Sequence, residues 1–260
     1  MKLQTLYKSA LVLFASSFLS CTDLDDSPIP VDNGVLIKKI TETLSFGTES
    51  QISVAEYIYQ GSVLTRISHD NAYQEFEYLG NKINTRKSYL QGELVATHTF
   101  IYEGDQLMQI NSDQSSGDRV LFMYNVNGLA AMDHQLFNGS DYQTYQRENY
   151  VYAAGGNIGQ RSRIYFGTPT TTTRSEYTYD TGNSPMRDMN PYLKLSQEYE
   201  GFLPLNQNNP LVQSAFTPSD ATTGESYTYE YVYNDLQFPT EIRRKAANGT
   251  VISLTEIEYQ

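Results

Sequence analysis

One cysteine, no tryptophan and three histidines in 260 residues narrow the chemistry open to this chain before any pattern is sought. A lone cysteine excludes an intramolecular disulfide and dithiol redox work, so packing and hydrogen bonding must hold the fold. His69, His98 and His134 are separated by 29 and 36 residues, a spacing that matches no compact zinc motif. Basic residues are also scarce. Eighteen Lys and Arg stand against 30 Asp and Glu, a net charge of -12. That balance disfavours the phosphate neutralisation on which nonspecific nucleic-acid binding depends. It equally disfavours a basic patch for anionic lipid. No G-x-S-x-G elbow occurs, and Gly155-Gly156-Asn157-Ile158-Gly159 lacks the Lys-Ser/Thr ending of a phosphate loop, so it reads as a hairpin turn. Nothing in these patterns calls for a cofactor.

The start of the chain is distinctive. Lys2 and Lys8 precede an apolar run from Ala10 to Leu19, interrupted by Ser16 and Ser17. Ten residues fall well short of the roughly 20 that a helix needs to cross a bilayer. A positive start and a short apolar segment are the marks of an export signal. The segment ends in Phe18-Leu19-Ser20-Cys21, a tetrad that resembles a bacterial lipobox, with small Ser20 directly before the cysteine. The resemblance implies cleavage before Cys21 and acylation there, with several acyl chains giving stable anchorage. Removing Lys2 and Lys8 with the signal takes the net charge from -12 to -14. Residues 22 to 35 are acidic and broken by Pro28 and Pro30, the composition of a solvated tether. Asp23, Asp25 and Asp26, just after the cysteine, resemble the export signal of Bacteroidetes-like surface lipoproteins. The expected divisions are a signal peptide (1–20), a lipidated cysteine with an acidic tether (21–35) and a folded domain (36–260). The expected location is the outer membrane, with the cell surface favoured over the periplasmic face.

The folded part is rich in tyrosine, 22 in all. Its clearest recurrent units are Tyr57-Ile58-Tyr59 with Leu64 and Ile67, Phe100-Ile101-Tyr102 with Leu107 and Ile110, and Phe122-Met123-Tyr124 with Leu129 and Met132. Phe76-Glu77-Tyr78 with Ile83 is a shorter relative. Each aromatic-x-Tyr pair is followed by a polar or glycine turn, and then by an aliphatic residue five positions after the tyrosine. Aromatics two apart share one face of a strand, and the turn residues admit the angles that reverse it. The unit is a β-hairpin, and one hairpin alone is marginal, so neighbours must pack side by side. Marker tyrosines at 59, 78, 102, 124 and 152 are separated by 19 to 28 residues, with echoes at Tyr177-Thr178-Tyr179 and from Tyr227 to Tyr233. Uneven spacing predicts an all-β antiparallel meander of hairpins forming a large twisted sheet, with little helix. The stretch from Thr181 to Thr223 holds five prolines and predicts one long proline-rich excursion, in which Asn190-Pro191-Tyr192-Leu193-Lys194-Leu195 starts a short helix or turn.

These units are similar to degenerate YD repeats of secreted and surface bacterial proteins. The order Asn190-Pro191, then Leu205 to Pro210, then Tyr227 to Thr240 resembles the DUF4595-type lipoproteins of Bacteroidetes. That resemblance implies a secreted antiparallel β domain and transfers no catalytic residue.

Carboxylate pairs are the remaining chemistry. Glu75 with Glu77 and Glu256 with Glu258 each share a strand face, where like charges point to solvent. The leading reading is a non-enzymatic surface or periplasmic module that binds glycan, peptide or protein through a sheet face or the excursion. No binding aromatic is assigned; an exposed row of tyrosines along a groove would favour binding through a sheet face, and tyrosines buried between sheet and loop would count against it. A carboxylate-dependent glycan hydrolase and a structural envelope component stay open as alternatives. The membrane, through lipid on Cys21, is the one partner assigned to a residue; the oligomeric state is left undetermined.

Overall fold

The computed structural model describes residues 34–46, 49–114, 117–197, 204–216 and 225–260. Cys21, the tether and the signal lie outside them. Sixteen strands are formed among the described residues. They are β1 (Ile37–Phe46), β2 (Glu49–Gln60), β3 (Val63–His69), β4 (Ala72–Leu79), β5 (Lys82–Leu90), β6 (Glu93–Glu103), β7 (Gln106–Ser112) and β8 (Arg119–Asn125). The second half comprises β9 (Gly128–Phe137), β10 (Tyr142–Tyr152), β11 (Ile158–Tyr165), β12 (Thr171–Asn183), β13 (Asn208–Phe216), β14 (Tyr227–Tyr233), β15 (Pro239–Ala246) and β16 (Val251–Tyr259).

Each strand pairs antiparallel with its neighbours in sequence, and β1 also pairs with β16, Ile37 opposite Tyr259 and Leu44 opposite Ser253. The result is a closed barrel, which overturns the expected open twisted sheet. Hairpin pairing is encoded locally; closure is not. An open sheet of sixteen strands would leave two unpaired backbone edges, and joining β1 to β16 removes both.

The recurrent unit is one strand pair of this barrel, and it occurs eight times. Its first residue turns inward and is buried at Tyr57, Phe76, Phe100, Phe122, Tyr150, Tyr177, Tyr229 and Ile257. Its tyrosine also turns inward and reaches across to the strand before it. Tyr59 donates to the Ile37 carbonyl (2.9 Å), Tyr78 to Leu64 (2.8 Å), Tyr102 to Ile83 (2.7 Å) and Tyr124 to Leu107 (2.7 Å). Tyr152 leans on the Leu129 backbone in the same way. Tyr179 donates to Ile158, Tyr231 to Pro210 and Tyr259 to Pro239, at 2.5 to 2.7 Å. Six of these acceptors, Ile37, Leu64, Ile83, Leu107, Leu129 and Ile158, put their own side chains into the core. In six units a β-bulge falls directly before the tyrosine, as between Ile101 and Tyr102. A bulge tightens the local bend and twist and re-aims the side chain that follows.

The expected excursion is shorter than its prolines suggested. β12 runs on to Asn183 and β13 begins at Asn208, with Pro210 opposite Tyr179. What lies between carries the short helix α1 (Pro191–Ser196), started by Asn190, whose side chain accepts from the Tyr192 and Leu193 amides. The expected hairpin turn at Gly155-Gly156 joins β10 to β11 as a single 3-10 turn.

Two substitutions test this account. Tyr102→Phe removes one hydroxyl and leaves the Ile83 carbonyl unsatisfied; urea denaturation should report a loss of about 1–2 kcal/mol. At Gly182 an added Cβ would fall 2.6 Å from the Tyr233 ring, so Gly182→Ala should cost roughly 1–3 kcal/mol in the same assay.

Candidate functional site

The two faces of the barrel wall differ sharply in chemistry. Outward positions carry charges paired across neighbouring strands. Lys39 meets Glu258 (3.1 Å), Arg66 meets Glu75 (2.5 Å) and Lys87 meets Glu77 (2.5 Å). Arg147 grips Asp133 with two bonds of 2.6 Å, Arg243 meets Glu241 at 2.6 Å, and Lys245 meets Glu230. The carboxylates noted as sequence neighbours therefore sit on the outside of the wall; Glu75, Glu77 and Glu258 are held by basic partners and face no cleft.

Inside, one half of the barrel is apolar and filled. Residues 184–197 and 204–207, between β12 and β13, lie over this end and send α1 inward. Leu193 is wholly buried against Leu36, Leu64 and Tyr78, with only about 30 Å³ of space left beside it. The Tyr192 ring meets the edge of Tyr102 at 4.9 Å, and its hydroxyl donates to the Asp105 carbonyl (3.0 Å). Asn190 donates to the Asn81 carbonyl (2.9 Å), and Gln197 donates to Gln74 (2.9 Å). Farther round, the Asn206 side chain accepts from the Ile158 amide, while Asn157 accepts from Gln207 and Asn208. The segment is a cap tied to several hairpins. Val35 is fastened to the same cap, its amide donating to Asp188 (3.0 Å), so the chain joins the barrel at the capped end.

This arrangement explains the tyrosines. The markers are half-buried or buried between wall and cap, not displayed as an exposed row. Burial drives the Tyr59, Tyr78 and Tyr102 phenols above their ordinary range, and that of Tyr124 up to about 12.

The other half of the lumen is polar. Strand alternation turns Gln74, Arg86, His98, Ser112, His134, Glu148, Arg161, Arg163 and Arg244 inward. Glu148 is wholly buried. It lies 2.8 Å from Arg163 and 3.9 Å from Arg161, and accepts from Gln146 (2.8 Å) and Tyr150 (3.0 Å). The sequence reading missed this group. Its signal was the period-two pairs Glu148-x-Tyr150 and Arg161-x-Arg163, whose meeting depends on the register of β10 with β11.

His98 and His134, 36 residues apart in sequence, line one cavity of about 240 Å³ above the end of α1. Its other walls include Arg86, Ser112, Asp118 and Tyr145, and its floor is Ile110, Phe122, Met132 and Leu195. Burial lowers both imidazoles' affinity for protons; with Arg86 alongside, His98 falls to about 4. His69 also faces inward, opposite Ala55, and does not line this cavity. Among the described residues no three His, Cys, Asp or Glu side chains are grouped to hold a metal ion.

Two measurements check these assignments. Glu148→Ala leaves two arginines without their buried carboxylate, and should lower stability by about 3–5 kcal/mol in a denaturation curve. For His98 the folded pKa lies below the ordinary 6.5, so the unfolded chain takes up the extra proton. Stability should therefore fall as pH drops from 6.5 to about 4, and the difference in melting between the native chain and His98→Asn should change across that window.

No family model matches the chain and no curated protein matches it, so the resemblance to YD repeats and DUF4595-type lipoproteins is not upheld. The likeness is to solved barrels. A porin-like protein from Bacteroides vulgatus ATCC 8482 superposes with a TM-score of 0.60 at 12% identity, over 86% of this chain and 99% of the other. A porin-like protein from Bacteroides uniformis ATCC 8492 gives a TM-score of 0.54 at 14% identity, over 86% and 96%. At such identities the shared property is the fold, a closed antiparallel β-barrel in place of a repeat-built open sheet.

Proposed function

We propose that this chain is a lipid-anchored, non-enzymatic envelope protein whose barrel stands outside the bilayer as a binding module. In this reading residues 1–20 are removed, Cys21 carries lipid in the outer membrane, and residues 22–35 tether the barrel. The observation that carries it is the polarity of the wall. A barrel that crosses a membrane turns an apolar band outward, and a basic side chain at the bilayer midplane costs about 2–4 kcal/mol. Here seven basic side chains, Lys39, Arg66, Lys87, Arg147, Arg174, Arg243 and Lys245, point outward into ion pairs, breaking up the outward apolar residues such as Ile58, Ile101, Val151 and Val232, while the marker tyrosines turn inward. The two solved barrels are called porin-like; the present wall and its packed cap favour a vessel over a conduit.

Val35 is tied to the cap, so a lipid on Cys21 pulls the capped end toward the membrane and leaves the polar half of the lumen facing away. That polar half is the surface best suited to a ligand. A glycan hydrolase finds less support, because both oxygens of the buried Glu148 are occupied by Gln146, Tyr150 and Arg163. A structural role through strand-edge self-pairing finds little either, since closure leaves no free edge along the described strands.

Residues 34–260 should be monodisperse in buffer without detergent and keep a β-type circular dichroism spectrum. Cys21→Ser should move the full chain from the membrane to the soluble fraction, and protease shaving of intact cells should cleave the anchored form. A barrel that needs detergent, or a Cys21→Ser chain that stays in the membrane, would overturn the reading.

A further inference from the structure

We infer that the cavity between His98 and His134 is a sugar site, built to take one uncharged polyhydroxylated ring such as the terminal residue of a glycan. This rests on the binding-module reading and names its ligand class. Three observations support it.

First, the cavity carries polar atoms that the fold leaves unused. His98 Nδ1, His134 Nε2 and Asp118 Oδ1 are all shut off from bulk solvent and have no hydrogen-bond partner among the described residues. A buried polar atom without a partner costs about 1–3 kcal/mol. Three of them around one space are a recognition surface awaiting groups that bond to them. The carbonyl of Ser196, at the end of α1, is already taken by Arg86 (3.4 Å).

Second, the chemistry of the lining selects the ligand. Neutral imidazole offers one donor and one acceptor, a carboxylate only accepts, and the hydroxyls of Ser112 and Tyr145 do either. Hydroxyl groups, which donate and accept at the same oxygen, satisfy such a mixed set. An anion would meet Asp118 and a cation would meet Arg86, while the Arg119 guanidinium is taken up by Gln135 and the Tyr142 ring, so the lining opposes a charged ligand of either sign. His98, His134 and Asp118 are not grouped closely enough to hold a metal ion. The floor of Ile110, Phe122 and Met132 is apolar, which suits the C–H face of a ring.

Third, the size is right for one ring and no more. About 240 Å³ holds roughly eight waters at about 30 Å³ each, and is below the roughly 300–1,000 Å³ of sites for larger ligands. Tyr145, about 40% exposed, stands at the edge, so a longer glycan has a way out toward the uncapped rim.

The test uses the barrel of residues 34–260 once its solubility without detergent has shown that it folds on its own. Methyl glycosides of glucose, galactose, mannose and N-acetylglucosamine are titrated while the imidazole signals of His69, His98 and His134 are followed by NMR. The inference predicts saturable shifts of His98 and His134 for at least one glycoside, with His69 unmoved. It further predicts at least a tenfold weaker affinity in His134→Ala and in Ser112→Leu, which fills the space. Glu77→Gln, on the outer wall, should bind as the native chain does and controls for folding. If all four glycosides leave His98 and His134 unmoved, or if binding survives in both cavity variants, the sugar site is overturned. Those failures are separable from failure of the anchored-module reading, which shows as a need for detergent or as Cys21→Ser staying in the membrane. Saturable shifts caused by acetate or tetramethylammonium in place of the glycosides would equally overturn it, by assigning the cavity to a charged ligand.

Discussion

A tyrosine hydroxyl reaching the backbone carbonyl of the strand before it is the contact around which this barrel is organised. It recurs in every strand pair, from Tyr59 on Ile37 to Tyr259 on Pro239. The phenol brings a large apolar ring into the lumen and closes a hydrogen bond at its far end, so neither the ring nor the carbonyl is left unmatched. In six units the bulge just before the tyrosine supplies the bend that aims it. The first bond involves Ile37 and the last Tyr259, and those two residues are themselves paired where the barrel closes. The same contact thus builds each hairpin and joins the ends of the chain.

The girdle also accounts for the cap. Rings turned inward at one end make an apolar well, and an apolar well open to water would be costly. α1 fills it with Tyr192 and Leu193, while the polar atoms of the segment bond to hairpin turns at Asn81 and Asp105. Capping one end leaves the other as the polar half, where Glu148 and its arginines form a buried network and the two histidines border a cavity. Val35 meets the barrel on the filled side. In the proposed reading this puts anchorage and ligand access at opposite ends of the structure.

Much of this was legible in the chain before folding. Aromatic-x-Tyr with a turn and an aliphatic residue five positions on identified the hairpin and the residues that share one of its faces. The short helix at Pro191 was legible from its proline and the asparagine before it. The tyrosines pack, as strand spacing suggested, but a period of two says which residues share a face and not which face meets water, so whether a row of them lay exposed was not legible. Prolines also misled over the excursion, because Pro210 is accommodated in β13 next to a bulge. Likeness to YD-repeat proteins rested on the local unit, and the local unit is compatible with both an open array and a ring.

Sequence alone determined what strand period and turn chemistry can encode within about twenty residues: antiparallel hairpins and the residues that share each of their faces. Only the tertiary structure decided that the eight strand pairs close, because pairing β1 with β16 joins residues more than 200 apart and has no local signature. Closure in turn decided which face is inside. It set Glu148 against Arg161 and Arg163, and brought His98 within one cavity of His134. Those meetings depend on strand register, which is fixed by the summed pairing around the ring and not by any one segment.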